Sequence, residues 1–309
     1  MSDTAASIAP DRIAPDWIAV DWGTSNCRAW AMDAAGGVLA HARSDAGMGG
    51  LRPDQFEPTL LSLIGGWLGA APVDVIACGM VGSRQGWAEA PYRPVPCRPD
   101  ALAPVDAPAA DPRLRVRLVP GLRQDAPADV MRGEEIQIAG FLTAEPGFDG
   151  VLCLPGTHTK WVRVSAGEVV GFITFMTGEL FAMLAAQSVL RHVLGTTSDE
   201  AAFAAGVAEG MARPEALAAR LFGIRAEALL AGLAPAAARG RLSGLLIGAE
   251  LAGARGYWLG QDLRVIGDTG LAPLYAQALH AQGVPAPVIE GDAMTLRGLS
   301  AVMAQLVRA

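Results

Sequence analysis

The sequence has few residues of the kinds that hold metal clusters or disulfides. Among its 309 residues are four cysteines and four histidines. No two cysteines form a C-x-x-C pair and the histidines do not cluster, which argues against a structural zinc site. The cysteines are Cys27, Cys78, Cys97 and Cys153. We expect them to be reduced thiols of a cytoplasmic protein.

Long apolar runs and an excess of positive charge are also lacking. No stretch approaches the ~18 uninterrupted apolar residues of a transmembrane helix. Residues 1–16 have neither a basic region nor an apolar segment, so they predict a flexible tail and not a secretory signal. The net charge of −7 and the pI near 5.1 disfavour binding to nucleic acid or to anionic membranes. The oligomeric state stays open, with a homodimer as one option.

What the sequence does contain is a pattern that occurs twice. WIAVDWGTSNCRAWAMDAAGGVLA begins at Trp17, and VLCLPGTHTKWVRVSAGEVVGF begins at Val151. Each segment predicts a strand, a Gly-Thr turn with polar residues, a second strand, a Gly-containing turn and a third strand. Gly156 follows Gly23 by 133 residues, which is a domain-sized period. Hydrophobic residues make up 51% of the chain, enough for the cores of two related domains.

The two Gly-Thr turns indicate phosphate binding. Glycine lets the backbone approach a ligand closely, and successive N–H groups in such a turn form an anion-binding concavity. One such turn alone is more often an ordinary hairpin, but two facing turns could hold a polyphosphate from both sides. The turn residues are Gly23, Thr24, Ser25, Asn26, Gly156, Thr157, His158 and Thr159.

Periodicity and turn residues divide the chain into two units. We expect an N-terminal unit over residues 17–148 and a C-terminal unit over 149–309, whose last helix packs back on the first. Besides the two three-strand segments, strands are predicted at 73–78, 114–119, 263–267 and 287–290. Helices are predicted at 53–68, 130–142, 178–194, 242–254, 274–280 and 294–307, and residues 200–239 are predicted to be helical with short breaks. Residues 121–129 are predicted to be loop.

Longer blocks carry a resemblance that spans nearly the whole chain. They are DWGTSNCRAW at 21–30, GMVGSRQGW at 79–87, DVMRGEEIQ at 129–137, LPGTHTKWV at 154–162, FMTGELFAML at 175–184, LSGLLIGAEL at 242–251 and VIGDTGLAPLY at 265–275. With these blocks the chain resembles the actin-like ATPase superfamily, which includes sugar kinases, and within it the 2-dehydro-3-deoxygalactonokinase family. The resemblance implies an α/β fold of two actin-like (ribonuclease H-like) domains, with mixed β-sheets flanked by helices and an interdomain cleft. It also implies phosphorylation of 2-dehydro-3-deoxy-D-galactonate to its 6-phosphate by ATP with Mg²⁺, in galactonate catabolism.

The resemblance assigns Asp21, at the end of the first strand, to orienting Mg²⁺ near the transferred phosphate. Mg²⁺ usually keeps several waters and takes few carboxylates. The second copy has Leu154 at the matching position, so the metal is expected nearer the first turn. Arg28 and Lys160 follow the two turns. Either could stabilise charge on the transferred phosphoryl group or be a solvated strand residue.

Phosphoryl transfer to an alcohol needs a group that accepts the hydroxyl proton. In the superfamily this acid commonly lies just before the second phosphate turn, and here Glu134 corresponds to it by position. Glu135 points about 100° away on the same helix, so one of the two should face the cleft. We prefer Glu134 as the base, with Asp129 as an alternative because the superfamily pattern has an aspartate. Two solvated acids at a helix N-terminus are the simpler interpretation.

A substrate with a carboxylate needs a cation, and two arginines are candidates. Arg84 lies in a glycine-flanked loop, and its planar guanidinium suits bidentate carboxylate binding. Arg132 is the second candidate. In the same loop Ser83 and Gln85 could bond sugar hydroxyls, and Trp87 could cover an apolar face.

Two helix starts complete the predicted site. Thr177 and Glu179 open a helix and could line the substrate cleft, although Thr177 could simply be an N-cap. A second loop lies between a strand and a helix, a context that favours nucleotide contact through backbone amides, and the resemblance assigns it to adenosine. This loop is Gly267, Asp268, Thr269 and Gly270, with Ser243 and Gly244 on the other wall.

Other functions remain compatible with these residues. A kinase for another sugar or sugar acid would share the site but take a different acceptor. A polyphosphate or nucleotide phosphohydrolase would use Glu134 or Glu135 to activate water. A non-catalytic sugar sensor is disfavoured, because no helix-turn-helix segment or basic patch is evident.

Overall fold

The computed structural model of the protein describes residues 13–308. Most of the predicted tail, residues 1–12, lies outside the described residues. Asp16, at the end of that tail, is bonded to the first sheet. Its backbone N–H donates to the Met32 carbonyl at 2.9 Å, and its carboxylate accepts from the Ala34 N–H at 2.6 Å.

The first sheet contains six strands. They are β1 (Trp17–Trp22), β2 (Cys27–Met32), β3 (Val38–Ser44), β4 (Val73–Cys78), β6 (Val105–Asp106) and β7 (Leu114–Leu118). Their spatial order is β3-β2-β1-β4-β7-β6. β1, β2 and β3 form the predicted antiparallel meander, while β4 and β7 run parallel to β1. The central strands are buried on both faces, which explains their nearly continuous apolar sequence.

The second sheet repeats this topology. Its strands are β10 (Gly150–Leu154), β11 (Thr159–Ser165), β12 (Glu168–Phe175), β13 (Leu263–Gly267) and β14 (Val288–Glu290). Their order is β12-β11-β10-β13-β14, with the first three antiparallel and the last two parallel to β10. A meander followed by two parallel strands in both sheets gives the predicted α/β fold of two actin-like (ribonuclease H-like) halves with mixed sheets and flanking helices.

A third sheet was missed by the sequence analysis. It contains β5 (Arg93–Pro94), β8 (Leu122–Asp125) and β9 (Ala128–Met131). The predictions of a loop at 121–129 and of a helix from 130 were therefore wrong in this segment. Only Leu122 and Met131, which face each other across the hairpin, are buried, so the strands have no long apolar alternation. The hairpin packs against β12, where the Asp129 carboxylate accepts from the Thr174 N–H at 2.7 Å and the Thr174 hydroxyl at 2.8 Å.

Nine α-helices lie among the described residues. They are α1 (Phe56–Ile64), α2 (Glu134–Ala144), α3 (Thr177–Gln187), α4 (Glu200–Ala212), α5 (Leu217–Leu230), α6 (Pro235–Gly253), α7 (Arg255–Trp258), α8 (Ala272–His280) and α9 (Gly291–Arg308). The other predicted helices are confirmed with shifted ends, and short 3₁₀ turns flank α1 and follow α3. No helix in residues 13–308 is both long and apolar enough to cross a bilayer.

Helix α6 is continuous, whereas the sequence predicted a break between residues 239 and 242. Its glycines are contact points and not breaks. A Cβ on Gly240, Gly244 or Gly248 would lie 2.2–2.3 Å from a backbone oxygen of α4 or its N-cap. These glycines recur every four residues on one helix face, so they let α4 and α6 approach closely along their lengths.

Helices α2 and α9 pack against each other between the two large sheets. A Cβ on Gly140 of α2 would lie 1.9 Å from the Met294 oxygen, and one on Gly298 of α9 would lie 2.1 Å from the Ile136 oxygen. Both helices contribute to one buried cluster with residues of both sheets. α9 also contacts β1 and β4 of the first sheet as well as β13 and β14 of the second. The starts of α2 and α9 therefore lie where the two sheets meet.

This close approach predicts that Gly298→Ala destabilises the protein. The new methyl group has no room against the backbone of α2, so we expect the free energy of unfolding to fall by about 1–3 kcal/mol or more. Gly223→Ala in α5 is the matched control, because nothing lies within 4 Å of the position that its new methyl group would take. There the change should stabilise the protein by up to about 1 kcal/mol. Urea unfolding followed by circular dichroism measures both, and equal effects of the two changes would contradict this packing.

Candidate active site

The first Gly-Thr turn joins β1 to β2 and is held on both sides by backbone bonds. The Gly23 N–H donates to the Asn26 carbonyl at 2.9 Å. The carbonyls of Gly23 and Thr24 accept from the N–H groups of Met48 and Gly49, each at 2.9 Å. The side chains of Thr24 and Ser25 are exposed at its tip. The turn is thus held by backbone bonds at its base and exposed to solvent at its tip.

The second Gly-Thr turn joins β10 to β11 and rests on the start of α3. The Thr157 carbonyl accepts from the Glu179 N–H at 2.9 Å, and the His158 ring nitrogen lies 2.5 Å from the Glu179 carboxylate. Thr159 differs from its predicted role. Its side chain is buried, with its hydroxyl 2.9 Å from the Tyr275 hydroxyl, so it supports the turn from within.

Strand register places one cation beside each turn. Arg28 lies opposite Asp21 across β1 and β2, and Lys160 lies opposite Leu154 across β10 and β11. The two cations therefore occupy equivalent positions in the two sheets. Lys160 is also the only lysine in the chain, and its residue is 4% exposed.

Arg28 joins the first sheet to the last helix. Its guanidinium forms ion pairs with Asp21 and with Asp292, the second residue of α9. Burial raises the pKa of Asp21, and the Arg28 charge opposes that rise. Asp292 was missed by the sequence analysis. The available signal was a Gly-acid pair at a helix start, as in Gly133-Glu134.

Lys160 of the second sheet forms the counterpart of the ion pair between Arg28 and Asp292. Its ammonium lies 3.1 Å from the Glu134 carboxylate at the start of α2 and donates to the His158 carbonyl at 2.9 Å. Glu134 is one quarter exposed and also accepts from the Arg132 backbone N–H at 3.1 Å. Each cation thus pairs with an acid from a helix that begins beside the opposite sheet.

Glu135 has a different environment from Glu134. It is fully buried, and one of its oxygens accepts from the Gly133 N–H at 2.7 Å while the other has no partner. Burial and the neighbouring Glu134 charge raise the pKa of Glu135 to about 8. Gly133 has a φ of +108°, a conformation that favours glycine, and packs against Gly79 at +91°. The structure therefore leaves Glu134 partly exposed beside Lys160 and turns Glu135 into the protein.

Arg132 and Ser83, two of the residues predicted to bind the sugar acid, lie together in a buried polar site. Arg132 is 8% exposed and donates to the Ala90 carbonyl at 2.7 Å, but its Nε and one Nη have no partner. Its guanidinium lies 4.3 Å from the centre of the Tyr92 ring. The hydroxyl of buried Ser83 is also unpaired, and a Cβ on the adjacent Gly82 would lie 2.9 Å from an Arg132 Nη. Unpaired buried polar groups mark a place where a polar ligand would be stabilising.

The rest of the predicted sugar loop faces elsewhere. Arg84 is 80% exposed along its side chain and lies 3.6 Å from Glu89, and Gln85 is exposed. Trp87 is a correction to the sequence analysis, because its ring is buried against Phe56 and its indole N–H donates to a carbonyl at 2.8 Å. It supports the loop from the core and has no open face to offer a sugar.

A cavity of about 360 Å³ lies beside the second Gly-Thr turn. It contains Thr177, which the sequence analysis assigned to the substrate, together with Asp268 from the predicted adenosine loop. The Asp268 carboxylate accepts from the N–H groups of Gly270 and Leu271 at 2.8 Å and so caps the approach to α8. The lining is Gly156, Thr157, Thr177, Gly178, Phe181, Ser198, Arg239, Ser243, Leu246, Ile247, Asp268, Leu271, Leu274 and Tyr275. The sequence analysis assigned no role to Arg239 or to Phe181, although Phe181 lies within the block at 175–184.

A second, more polar cavity of about 430 Å³ adjoins it through the same loop. Gly267, Asp268 and Thr269 line it together with Asn26 of the first turn, and Arg28 and Asp292 lie on its wall. The loop at 267–270 therefore lies between a largely apolar cavity and a polar one. This arrangement suits a ligand with an apolar base and a charged tail.

The sequence profile of the 2-keto-3-deoxy-galactonokinase family matches residues 21–302, a span that includes both turns and both cation–acid pairs. The chain belongs to this family. A Rhizobium meliloti (strain 1021) member named "Probable 2-dehydro-3-deoxygalactonokinase DgoK1" is 39% identical over 286 residues, covering 90% of this chain and 94% of the relative. The 2-dehydro-3-deoxygalactonokinase of Escherichia coli (strain K12) is 33% identical over 284 residues, covering 91% and 94%.

The fold of the family is also known from a crystal structure. A protein from Sinorhizobium meliloti superposes with a TM-score of 0.88 at 38% identity, over 94% of this chain and 96% of that chain. The two-sheet architecture described above is thus the architecture of a solved family member.

The buried Glu135 predicts a specific pH dependence of stability. The pKa of Glu135 is about 8 in the folded protein, whereas the ordinary value is 4.5. The folded protein therefore holds this proton more tightly than the unfolded chain does. The resulting stabilisation is complete below pH 4.5 and is lost as the pH rises through 8. Glu135→Gln removes the titration. Between pH 5 and 8 the free energy of unfolding should decline less in the variant than in the wild type, by on the order of 1 kcal/mol per pH unit. Urea unfolding of both proteins measures this difference. If the free energy of unfolding changed with pH in the same way in the wild type and in Glu135→Gln, Glu135 would not be a buried, neutral carboxyl.

Proposed function

We propose that the protein transfers the γ-phosphoryl group of ATP to the 6-hydroxyl of 2-dehydro-3-deoxy-D-galactonate. The family and the names of its members support this substrate. The observation that carries the proposal for this chain is the junction of Lys160 and Glu134. A cation beside the second Gly-Thr turn and an acid at the start of α2 lie 3.1 Å apart there.

The nucleotide is proposed to occupy the two adjoining cavities. The adenosine would lie in the apolar cavity against Tyr275 and the α6 wall, with its phosphates passing the loop at 267–270 toward the turns. Backbone N–H groups of both turns would bind phosphate oxygens. Arg28 and Lys160 would neutralise charge on the phosphates, which is the main requirement of phosphoryl transfer.

Magnesium fits the acids beside Arg28. Asp21 and Asp292 offer carboxylate oxygens, the ligand type that Mg²⁺ prefers, and both border the first phosphate turn or its polar cavity. These two residues would hold the ion together with water and phosphate oxygens. When bound, the ion would neutralise charge on the β- and γ-phosphates.

Glu134 is proposed as the group that accepts the proton of the 6-hydroxyl. It is partly exposed at the start of α2, whereas Glu135 is fully buried and Asp129 is bonded to Thr174. Lys160 holds the Glu134 carboxylate in the cleft, and the Arg132 N–H fixes its other oxygen. A general base must first lie within hydrogen-bond reach of the hydroxyl whose proton it accepts. Its pKa is the second requirement.

Arg132 is proposed to bind the substrate carboxylate. It lies two residues before Glu134, it is buried, and two of its guanidinium nitrogens have no partner. A substrate carboxylate could accept from the free Nη1, while Nε, on the other side of the guanidinium, is open to a second acceptor. Ser83, unpaired beside it, would bond a hydroxyl or the same carboxylate. The exposed Arg84 lacks this desolvated setting, in which an ion pair is strongest.

A coupled ADP-release assay with MgATP tests the function. The acceptors to compare are 2-dehydro-3-deoxygalactonate, its gluconate epimer, neutral galactose and no acceptor. We expect release that depends on the galactonate compound. Release without any acceptor would instead indicate a phosphohydrolase, and release with only another sugar would overturn the substrate but not the reaction.

The two arginines give a sharper prediction. Arg132→Met should lower kcat/KM for the sugar acid on the order of 10²-fold, since a charged pair is lost from a buried site. Arg84→Ala removes an equally charged but exposed side chain and should change kcat/KM less than about threefold. Steady-state kinetics on both variants decide the assignment. A large loss with Arg84→Ala and a small one with Arg132→Met would place the carboxylate on the loop at 82–87 instead.

A further inference from the structure

The proposed reaction does not use Glu250, a carboxylate buried in α6 with 3% of its residue exposed. Its two oxygens accept from the Trp161 indole N–H at 2.8 Å and from the Tyr275 hydroxyl at 2.7 Å. The Thr177 hydroxyl is a third donor. A buried charge with three donors is well compensated, but removing a donor would leave it costly.

The three donors stand on three different elements around the apolar cavity. Trp161 belongs to β11, directly after the second phosphate turn. Thr177 is the first residue of α3, and Tyr275 lies in α8. Thr177 and Tyr275 line the cavity themselves, as does α6, which carries Glu250. One carboxylate thus ties together three elements that line the cavity, α3, α6 and α8, and joins them to β11.

The hydrogen-bond chain continues into the phosphate turn. The Tyr275 hydroxyl lies 2.9 Å from the Thr159 hydroxyl, and Thr159 precedes Lys160. An ionised carboxylate only accepts, so Tyr275 donates to Glu250 and Thr159 donates to Tyr275. The ionised form therefore fixes the direction of every bond from α6 to the start of β11.

We propose that Glu250 is a positioning residue for nucleotide binding, whose ionised carboxylate holds Tyr275, Thr177 and the second phosphate turn in the arrangement that binds the nucleotide. This inference rests on the proposed nucleotide cavity. Glu250 itself touches no reacting atom and acts through the residues it holds.

The arrangement makes nucleotide binding sensitive to pH. Burial raises the pKa of Glu250 to about 7, and its three donors oppose that rise. The titratable groups that face it are Tyr275 from α8 and Cys153 from β10, and burial raises the pKa of both far above neutrality. Glu250 is therefore the group in this cluster that titrates near pH 7. Its protonation turns an acceptor into a donor, so nucleotide affinity should weaken as the pH falls through 7.

The test compares MgADP binding by the wild type and Glu250→Gln, measured by calorimetry at pH 6 and pH 8. At pH 8 the variant should bind about tenfold more weakly, the loss expected for a hydrogen bond to a charged group. At pH 6, where the wild-type carboxyl is also neutral, the ratio of the two Kd values should shrink to about twofold or less. Protonation of the nucleotide is common to both proteins and cancels in this ratio.

Tyr275→Phe provides an independent variant that keeps the ring in place. It cuts the chain to Thr159, so it should weaken MgADP binding at pH 8 by a similar factor. The double variant should bind no more weakly than either single variant, because both remove the same connection. Tyr257→Phe is the matched control. Its ring lies 4.7 Å from the Arg163 guanidinium and outside the cavity lining, so binding should not change.

The outcomes separate this inference from the proposed function. A Kd ratio near one at pH 8, or the same ratio at both pH values, would overturn the positioning role. If Glu250→Gln does not fold, Tyr275→Phe decides by the same two measurements. Failure of the wild type to bind MgADP at millimolar concentration would instead overturn the nucleotide cavity itself.

Discussion

The geometry of the candidate active site depends on the attraction between two cations and two acids. These four side chains face each other where the two large sheets meet. Arg28 on β2 pairs with Asp292 of α9, and Lys160 on β11 pairs with Glu134 of α2. Strand register fixes both cations, and the glycine contact between α2 and α9 fixes both acids. Each pair lies beside one of the two Gly-Thr turns. The duplicated fold thereby brings charge from both halves to one place in the cleft.

In the proposed reaction these pairs have a second purpose. Phosphate oxygens would compete with Glu134 for Lys160 and with the aspartates for Arg28, while Mg²⁺ would take up the aspartates. Such pairs lie partly shielded from water, where Coulomb interactions are stronger than on an open surface. The sugar acid would bind nearby against Arg132, which is held two residues before the acid that faces the cleft. Binding of the sugar acid and the position of the base thus involve one short segment, residues 132–134.

Much of this could be predicted from the sequence because the determinants are local. The repeated Gly-Thr turns predicted both halves of the fold. Arg28 and Lys160 were candidate cations because each follows one of these turns. The other features depend on contacts between distant segments. Asp292 lies 264 residues from Arg28, and no local pattern marks their pairing. Trp87 has an aromatic side chain of the kind that stacks on sugars, yet its packing against Phe56 buries the ring. Gly240 lies in the break predicted between residues 239 and 242, yet α6 is continuous there, and Gly240, Gly244 and Gly248 pack closely against α4 or its N-cap.

The central claim is that Glu134, held by Lys160, accepts the proton during phosphoryl transfer. The most direct measurement is the turnover of Glu134→Gln with MgATP and 2-dehydro-3-deoxygalactonate, beside its affinity for MgADP. Glutamine can still bond Lys160 but is a poor base. The account predicts a fall in kcat on the order of 10³-fold, with the Kd for MgADP unchanged within about twofold, as expected when only the reacting group is lost. A variant that keeps more than a tenth of wild-type turnover would contradict it.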